Sequence, residues 1–365
     1  MIKEIFSDTN WFIAITIISS LYALYLAFIS NKTLLRGSKI NLYGFILTIC
    51  AWIYIGFRPT WAYADTGLYT AMYRLVQSGM WEAPKVVASE WFWSVVQTTC
   101  MTFTDDSGWL AVVAGFYIGG FALAGWLLLK RHYTAYIISI FCSFSFFGYA
   151  TNGLRQGMGA AMVLAGMAIL MESRKIKLSN TLKYSIAIAI IYLGCSTHRS
   201  LLFTALAFAI AYLFPTQKKG FYIWLICLAL SPLSQNLMEI PSMFVEDSRL
   251  TYYGTIDDAE MFSRTGWRWD FILYSCVPIV LGWYVTVRKK LGDRTYQTLL
   301  NTYLYTNAAW LLINSIAYSN RFAYLSWFFY PVVVVYPLLK FKVFKNQGIW
   351  LAAFLVGSCA FLWIF

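Results

Sequence analysis

The chain has 365 residues, of which 60% are hydrophobic, 19% aromatic and only 12% charged, with a mean hydropathy of +0.61 and a formal net charge of +12. That composition excludes a soluble globular fold and requires an all-α polytopic membrane protein whose helices satisfy their own backbone hydrogen bonds in hydrocarbon. The seven cysteines lie within or at the edges of apolar segments at scattered spacing, which speaks against a disulfide framework and a thiolate metal site.

A crossing helix needs about 20 mostly apolar residues. Runs between charged breaks predict spans at 10–30, 40–57, 109–129, 134–150, 154–171, 182–196, 201–214, 221–236, 270–287, 298–318, 322–339 and 349–365, about twelve helices in a single transmembrane domain over 1–365. A further apolar stretch, 88–103, is rich in Trp and carries Glu90. Letting it cross would put the later basic connections on the wrong side, so it is expected to be an interfacial or re-entrant helix. The first run is as long as a full span and lacks a basic leader with a small-residue cleavage site, so no cleavable signal peptide is expected.

Under this assignment 18 of the 28 Lys and Arg fall in alternate loops, among them Lys32 and Arg36, Lys130 and Arg131, Lys218 and Lys219, Arg288 to Lys290, and Lys340 to Lys345. Those loops are expected to be cytoplasmic by the positive-inside rule, and the net charge then reflects topology rather than nucleic-acid binding. Eight of the ten remaining basic residues are Arg, whose planar fork of donors suits phosphate oxygens. Arg155, His198, Arg199 and Arg321 all fall on that outer side, in or beside apolar segments. Such groups are costly near the membrane core and point to an anionic ligand.

Two outer segments are long enough to fold over a site. In the first, 58–108, Asp65, Tyr69 and Tyr73 recur four residues apart and form one polar aromatic stripe on a helix. Leu68, Met72, Leu75 and Val76 cluster on another side, which suits a helix lying at the interface. The second, 237–270, mixes Arg249, Arg264 and Arg268 with Tyr252, Tyr253, Trp267 and Trp269. Aromatic faces among hydrogen-bonding groups suit sugars, and an interfacial aromatic belt explains the two Trp equally well. Asp257, Asp258 and Glu260 lack calcium-loop spacing, so neither a metal nor a cofactor is expected.

Residues 151–170 carry the sharpest local signal. Gly153, Gly157, Ala161 and Ala165 repeat every four residues, a stripe that lets a neighbouring helix approach closely, and Arg155 with Gln156 stands at its outer mouth. His132 sits in a basic turn and reads as a solvated loop residue. His198 lies in CSTHRSLLF on the outer side, where histidine is a natural acid or base near neutral pH and Arg199 beside it would favour the neutral ring.

These residues resemble the EpsG-like branch of the Wzy-type polysaccharide polymerases. The resemblance is carried by Arg58, Asp65 and Tyr69 in FRPTWAYADTGLY, by Glu90 in SEWFW and by the Arg155–Gln156 pair opening a small-residue helix. It continues with His198 and Ser200 before the next span, and with Arg321 and Tyr324 before a late aromatic one. It covers Ile55 to about Tyr330; Arg199 and the gap between Arg58 and Asp65 depart from the family pattern.

The resemblance implies a metal-independent GT-C-like glycosyltransferase in the bacterial cytoplasmic (inner) membrane. It would join undecaprenyl-diphosphate-linked oligosaccharide repeat units into a surface polysaccharide, O-antigen or exopolysaccharide, on the extracytoplasmic side. In that frame Arg155 and Arg321, with Arg264 or Arg268, would meet the charge of the departing diphosphate. His198 is the first candidate for the base and Asp65 the second. Arg58, Tyr69, Tyr73, Glu90, Gln156, Arg199 and Tyr324 would bind substrate, and a chain-length regulator and a flippase would be the protein partners. Two other classes stay open from the residues alone. A lipid-linked oligosaccharide exporter would place polar groups at several depths, and a membrane O-acyltransferase would need a cytoplasmic route for its acyl donor.

Overall fold

The computed structural model describes residues 7–38, 41–61, 63–82, 90–172, 179–216, 218–234, 266–315 and 319–364. Among the described residues every regular element is helical. The protein is a polytopic helical membrane protein in two compact units, Met1–Ala205 with Val335–Phe365, and Leu206–Val334.

The first unit contains α1 (Asp8–Phe28), α2 (Asn31–Arg36), α3 (Leu42–Gly56), α4 (Ala64–Gln77), α5 (Trp91–Met101) and α6 (Asp106–Leu129). It continues with α7 (Tyr133–Phe141), α8 (Phe144–Thr151), α9 (Leu154–Met171), α10 (Asn180–Cys195) and the start of α11 (Leu201–Leu213). The second unit holds the rest of α11, α12 (Lys219–Leu230), α13 (Trp269–Trp283), α14 (Arg294–Leu311), α15 (Ser319–Trp327) and the first turn of α16 (Tyr330–Lys340). The remainder of α16 and α17 (Gln347–Ile364) belong to the first unit.

Each of the twelve apolar runs carries helix, but only six helical stretches among the described residues are long and apolar enough for a full crossing: 8–28, 106–141, 154–171, 269–288, 319–340 and 347–364. Four more apolar helices, 42–56, 180–195, 201–213 and 219–233, are shorter, and at a rise of about 1.5 Å per residue they reach only about 20 to 24 Å. The 36-residue stretch 106–141 is not one rod. Leu129 leaves helical geometry before a 3-10 turn over Lys130–His132. Beyond it Tyr136 Oη donates to the Phe121 carbonyl at 2.9 Å and abuts Gly125, while Tyr117 Oη donates to the Phe146 carbonyl at 2.7 Å. These pairs are nearly symmetric about the turn, so α6 folds back on α7 and α8 as a hairpin.

Helix α9 is the core of the first unit, and every residue in it except Arg155 is buried. Its expected small-residue stripe holds: Gly157 lies against the Tyr149 carbonyl and Ala161 against Gly120 of α6. A second small-residue line, Gly159 and Gly166, faces Gly194 and Ala187 of α10. With only 11 residues, α5 spans about 16 Å, too short to cross the roughly 30 Å hydrocarbon core. It buries Trp93, Val96 and Cys100 instead.

In the second unit α14 misses full-span apolarity because one of its faces is polar and inward. Asn307 is fully buried; its Oδ1 accepts from Trp224 Nε1 at 2.8 Å and its Nδ2 donates to Ser275 and Ser326, each at 3.1 Å. Such a satisfied network fixes which faces of α12, α13, α14 and α15 meet.

Candidate active site

Arg155 is the second residue of α9, where a cation opposes the positive end of the helix. The conflict is relieved by Glu90, the residue that opens α5. Arg155 Nη1 donates to Glu90 Oε2 at 2.5 Å, and the carboxylate side chain is only 8% exposed. The guanidinium centre also lies 5.7 Å from the Tyr69 ring, which meets Trp93 edge to face at 5.5 Å. Burial raises the Tyr69 phenol above its ordinary range, with Arg155 pulling the other way, so the phenol stays neutral. Beneath this layer Leu154, Met158 and Met162 of α9 pack with Tyr73, Trp93 and Trp109.

The turn 196–200 is seated on the same end of α9. Thr197 Oγ1 donates to the Arg155 carbonyl at 3.0 Å, and the Phe92 N–H donates to the Ser196 carbonyl at 3.1 Å. Close approach depends on Gly159, because a Cβ there would run into Thr197 Oγ1, the Gly194 carbonyl and Leu201 Cδ1. The result places Ser200 Oγ 2.7 Å from His198 Nδ1, with Gln156 Nε2 donating to the same oxygen at 3.4 Å. Ahead of α9 in the chain, the Asp65 N–H donates to Asn152 Oδ1 at 3.4 Å and Thr66 Oγ1 to the Thr151 carbonyl at 2.6 Å. The first turn of α4 is thereby pinned just ahead of Arg155.

The fold thus gathers Asp65, Tyr69, Glu90, Arg155, Gln156 and His198 at one end of the first unit. Arg199, next to His198, is exposed. Two residues expected to bind substrate are turned inward. Arg58 is buried, with Nη2 donating to Thr66 Oγ1 at 2.8 Å and Nη1 to the Ile55 carbonyl, so its donors hold the α3–α4 junction. Tyr73 is fully buried, stacked on Trp109 at 5.2 Å with its hydroxyl donating to the Thr104 carbonyl at 3.0 Å, so it packs the core. Leu68, on another side of α4, is exposed.

In the second unit Arg268 is held by Asp270 through two hydrogen bonds of 2.9 and 2.6 Å and stacks 3.5 Å from Phe271. Arg321 is exposed, and Tyr324 is half-buried, tilted against Trp327 at 5.7 Å. Arg264 and most of the segment 237–270 lie outside the described residues. Nothing in the local sequence around Thr197, Asn152 or Gly159 marks their part in this cluster. Only the spacing of Gly159 and Gly166, seven residues apart, hints at the second close contact.

A comparison with curated proteins and one with solved structures each match nothing. The profile of the EpsG family matches residues 41–365, a range that contains every element of the Glu90–Arg155–His198 cluster, and the chain therefore belongs to the EpsG family.

Proposed function

We propose that this protein is a polysaccharide polymerase, a GT-C-type glycosyltransferase with about twelve crossings. It joins undecaprenyl-diphosphate-linked oligosaccharide repeat units on the outer face of the bacterial cytoplasmic membrane. The observation that carries the reading is Arg155: it is the sole residue of α9 that is not buried, it stands at the positive end of that helix, and only Nη1 is given to Glu90 at 2.5 Å. Its remaining donors and the helix N-terminus suit the oxygens of a diphosphate.

In the proposed reaction the acceptor sugar hydroxyl attacks C1 of the donor glycan. The C1–oxygen bond to the diphosphate breaks, and the lipid diphosphate departs with the electron pair. Arg155 meets the growing negative charge in a preorganised setting, where such a donor contributes most. The hydroxyl proton passes to one of two groups gathered at this end, His198 or Asp65. Tyr69, Glu90, Gln156 and Arg199 border the same place and are proposed to contact substrate or shape its seat. Arg264, Arg268, Arg321 and Tyr324 are proposed as substrate-binding residues of the second unit. A chain-length regulator and a flippase are the proposed protein partners.

The test is incubation of the purified protein with a native lipid-linked repeat unit, with products resolved on a gel. A ladder of repeats is expected from the wild-type chain, and unreacted single units would refute the reading.

A further inference from the structure

Ser200 Oγ has two side-chain partners among the described residues, Gln156 Nε2 at 3.4 Å and His198 Nδ1 at 2.7 Å. The Gln156 amide nitrogen can only donate, so it fills one lone pair of the serine oxygen. Among the described residues the side-chain acceptor then in reach of the serine hydrogen is His198 Nδ1. Placed so, each group in the line Gln156 to Ser200 to His198 donates to the next, an arrangement in which successive hydrogen bonds polarise and strengthen one another. A neutral imidazole that accepts at Nδ1 carries its proton on Nε2.

We propose that Ser200 is a positioning residue that fixes His198 in the tautomer protonated at Nε2, so that His198 acts as a hydrogen-bond donor and Asp65 receives the proton of the acceptor hydroxyl. The part assigned to the reaction rests on the polymerase reading above; the tautomer does not. A ring whose Nε2 already bears a proton has no lone pair there to accept another, and its N–H suits a substrate oxygen that gains negative charge. Asp65 is an acceptor when ionised. It stands one helical turn before Tyr69, which Arg155 overlies, and its backbone is tied to Asn152 beside the start of α9. The step balances: the acceptor O–H bond breaks with its proton going to the Asp65 carboxylate, the new O–C1 bond forms, and the C1–diphosphate bond breaks with its electrons leaving on the lipid diphosphate.

The tautomer can be read without any substrate. The chain has two histidines, so nitrogen-15 histidine labelling of the purified full-length protein gives two ring patterns, and His132→Gln assigns them. At a pH where the rings are neutral, His198 is expected to show an unprotonated Nδ1 and a protonated Nε2. Ser200→Ala should lose that preference, and Ser200→Thr, which keeps the hydroxyl, should restore it. A protonated Nδ1 in the wild-type chain, or an unchanged pattern in Ser200→Ala, would overturn the assignment. In the polymer assay Asp65→Asn should lose at least about a hundredfold, the low end of general-base catalysis. His198→Gln, which keeps an N–H donor, should lose only about five- to tenfold, the worth of one hydrogen bond. Losses in the opposite order would return the base role to His198. A wild-type chain that forms no polymer would instead refute the polymerase reading while leaving the nitrogen spectrum as an independent result.

Discussion

Glu90 and Arg155, 65 residues apart in the chain, meet at 2.5 Å where α5 begins and α9 begins. The pair explains how α9 tolerates a cation at its positive end. It also binds the segment 58–108 to the most buried helix of the first unit. Because Glu90 engages Nη1, the other donors of the guanidinium keep their fixed planar arrangement.

From that arrangement it follows that Arg155→Lys should be nearly as damaging to polymer formation as Arg155→Ala, since a point charge does not reproduce two parallel donors on a diphosphate. Protein level in the membrane should be unchanged. Polymer quantified on gels from cells of matched expression checks this, and near wild-type product from the Lys variant would refute the clamp.

Removing the carboxylate should destabilise the protein as well as impair it. Glu90→Gln leaves Arg155 largely desolvated without its counter-charge, at a cost of roughly 1 to 3 kcal/mol after allowing for the guanidinium's partial exposure. Glu90→Gln combined with Arg155→Gln should recover part of the lost thermal stability but none of the activity. A double-mutant cycle in melting temperature measures the coupling, and strict additivity would show that the pair contributes nothing to the fold.

Gly159→Val should separate the turn 196–200 from α9, because the added side chain would occupy the space of Thr197 Oγ1 and the Gly194 carbonyl. Overpacking of this kind costs about 1 to 3 kcal/mol. Polymer formation should fall far more than membrane insertion, as read by product per inserted molecule, because Ser200 and His198 would leave Gln156. Gly119→Val provides the control, since nothing lies near a Cβ there.

The sidedness has its own test. Asn152→Cys, at an exposed position next to the cluster, should react with an impermeant thiol reagent from outside intact cells, and Lys218→Cys only after the membrane is opened. Reaction of Asn152→Cys from the cytoplasmic side alone would put the cluster in the wrong compartment for an extracytoplasmic polymerase.

The membrane class, the position of nearly every helix and the presence of the polar residues Arg155, Gln156 and His198 beside apolar segments were legible in the sequence. Apolar length and the four-residue spacing of small side chains are properties of neighbouring residues and need no partner to be recognised. What a side chain faces is a different matter. Asp65, Tyr69 and Tyr73 share one stripe of α4, yet Tyr69 borders Arg155 while Tyr73 stacks on Trp109 inside the core. Arg58 reads as an outer cation but gives its donors to Thr66 and Ile55. The basic pair Lys130 and Arg131 marks the break between the predicted spans 109–129 and 134–150, but how closely the two limbs pack is seen only in the pairing of Tyr136 with Phe121 and of Tyr117 with Phe146. Gln156 and Ser200, 44 residues apart, meet because Gly159 and Gly194 let α9 and α10 approach at backbone distance. Local pattern fixes which residues are helical and which carry charge. Which of them touch is decided by how closely buried helices can pack, and that depends on atoms far away in the chain.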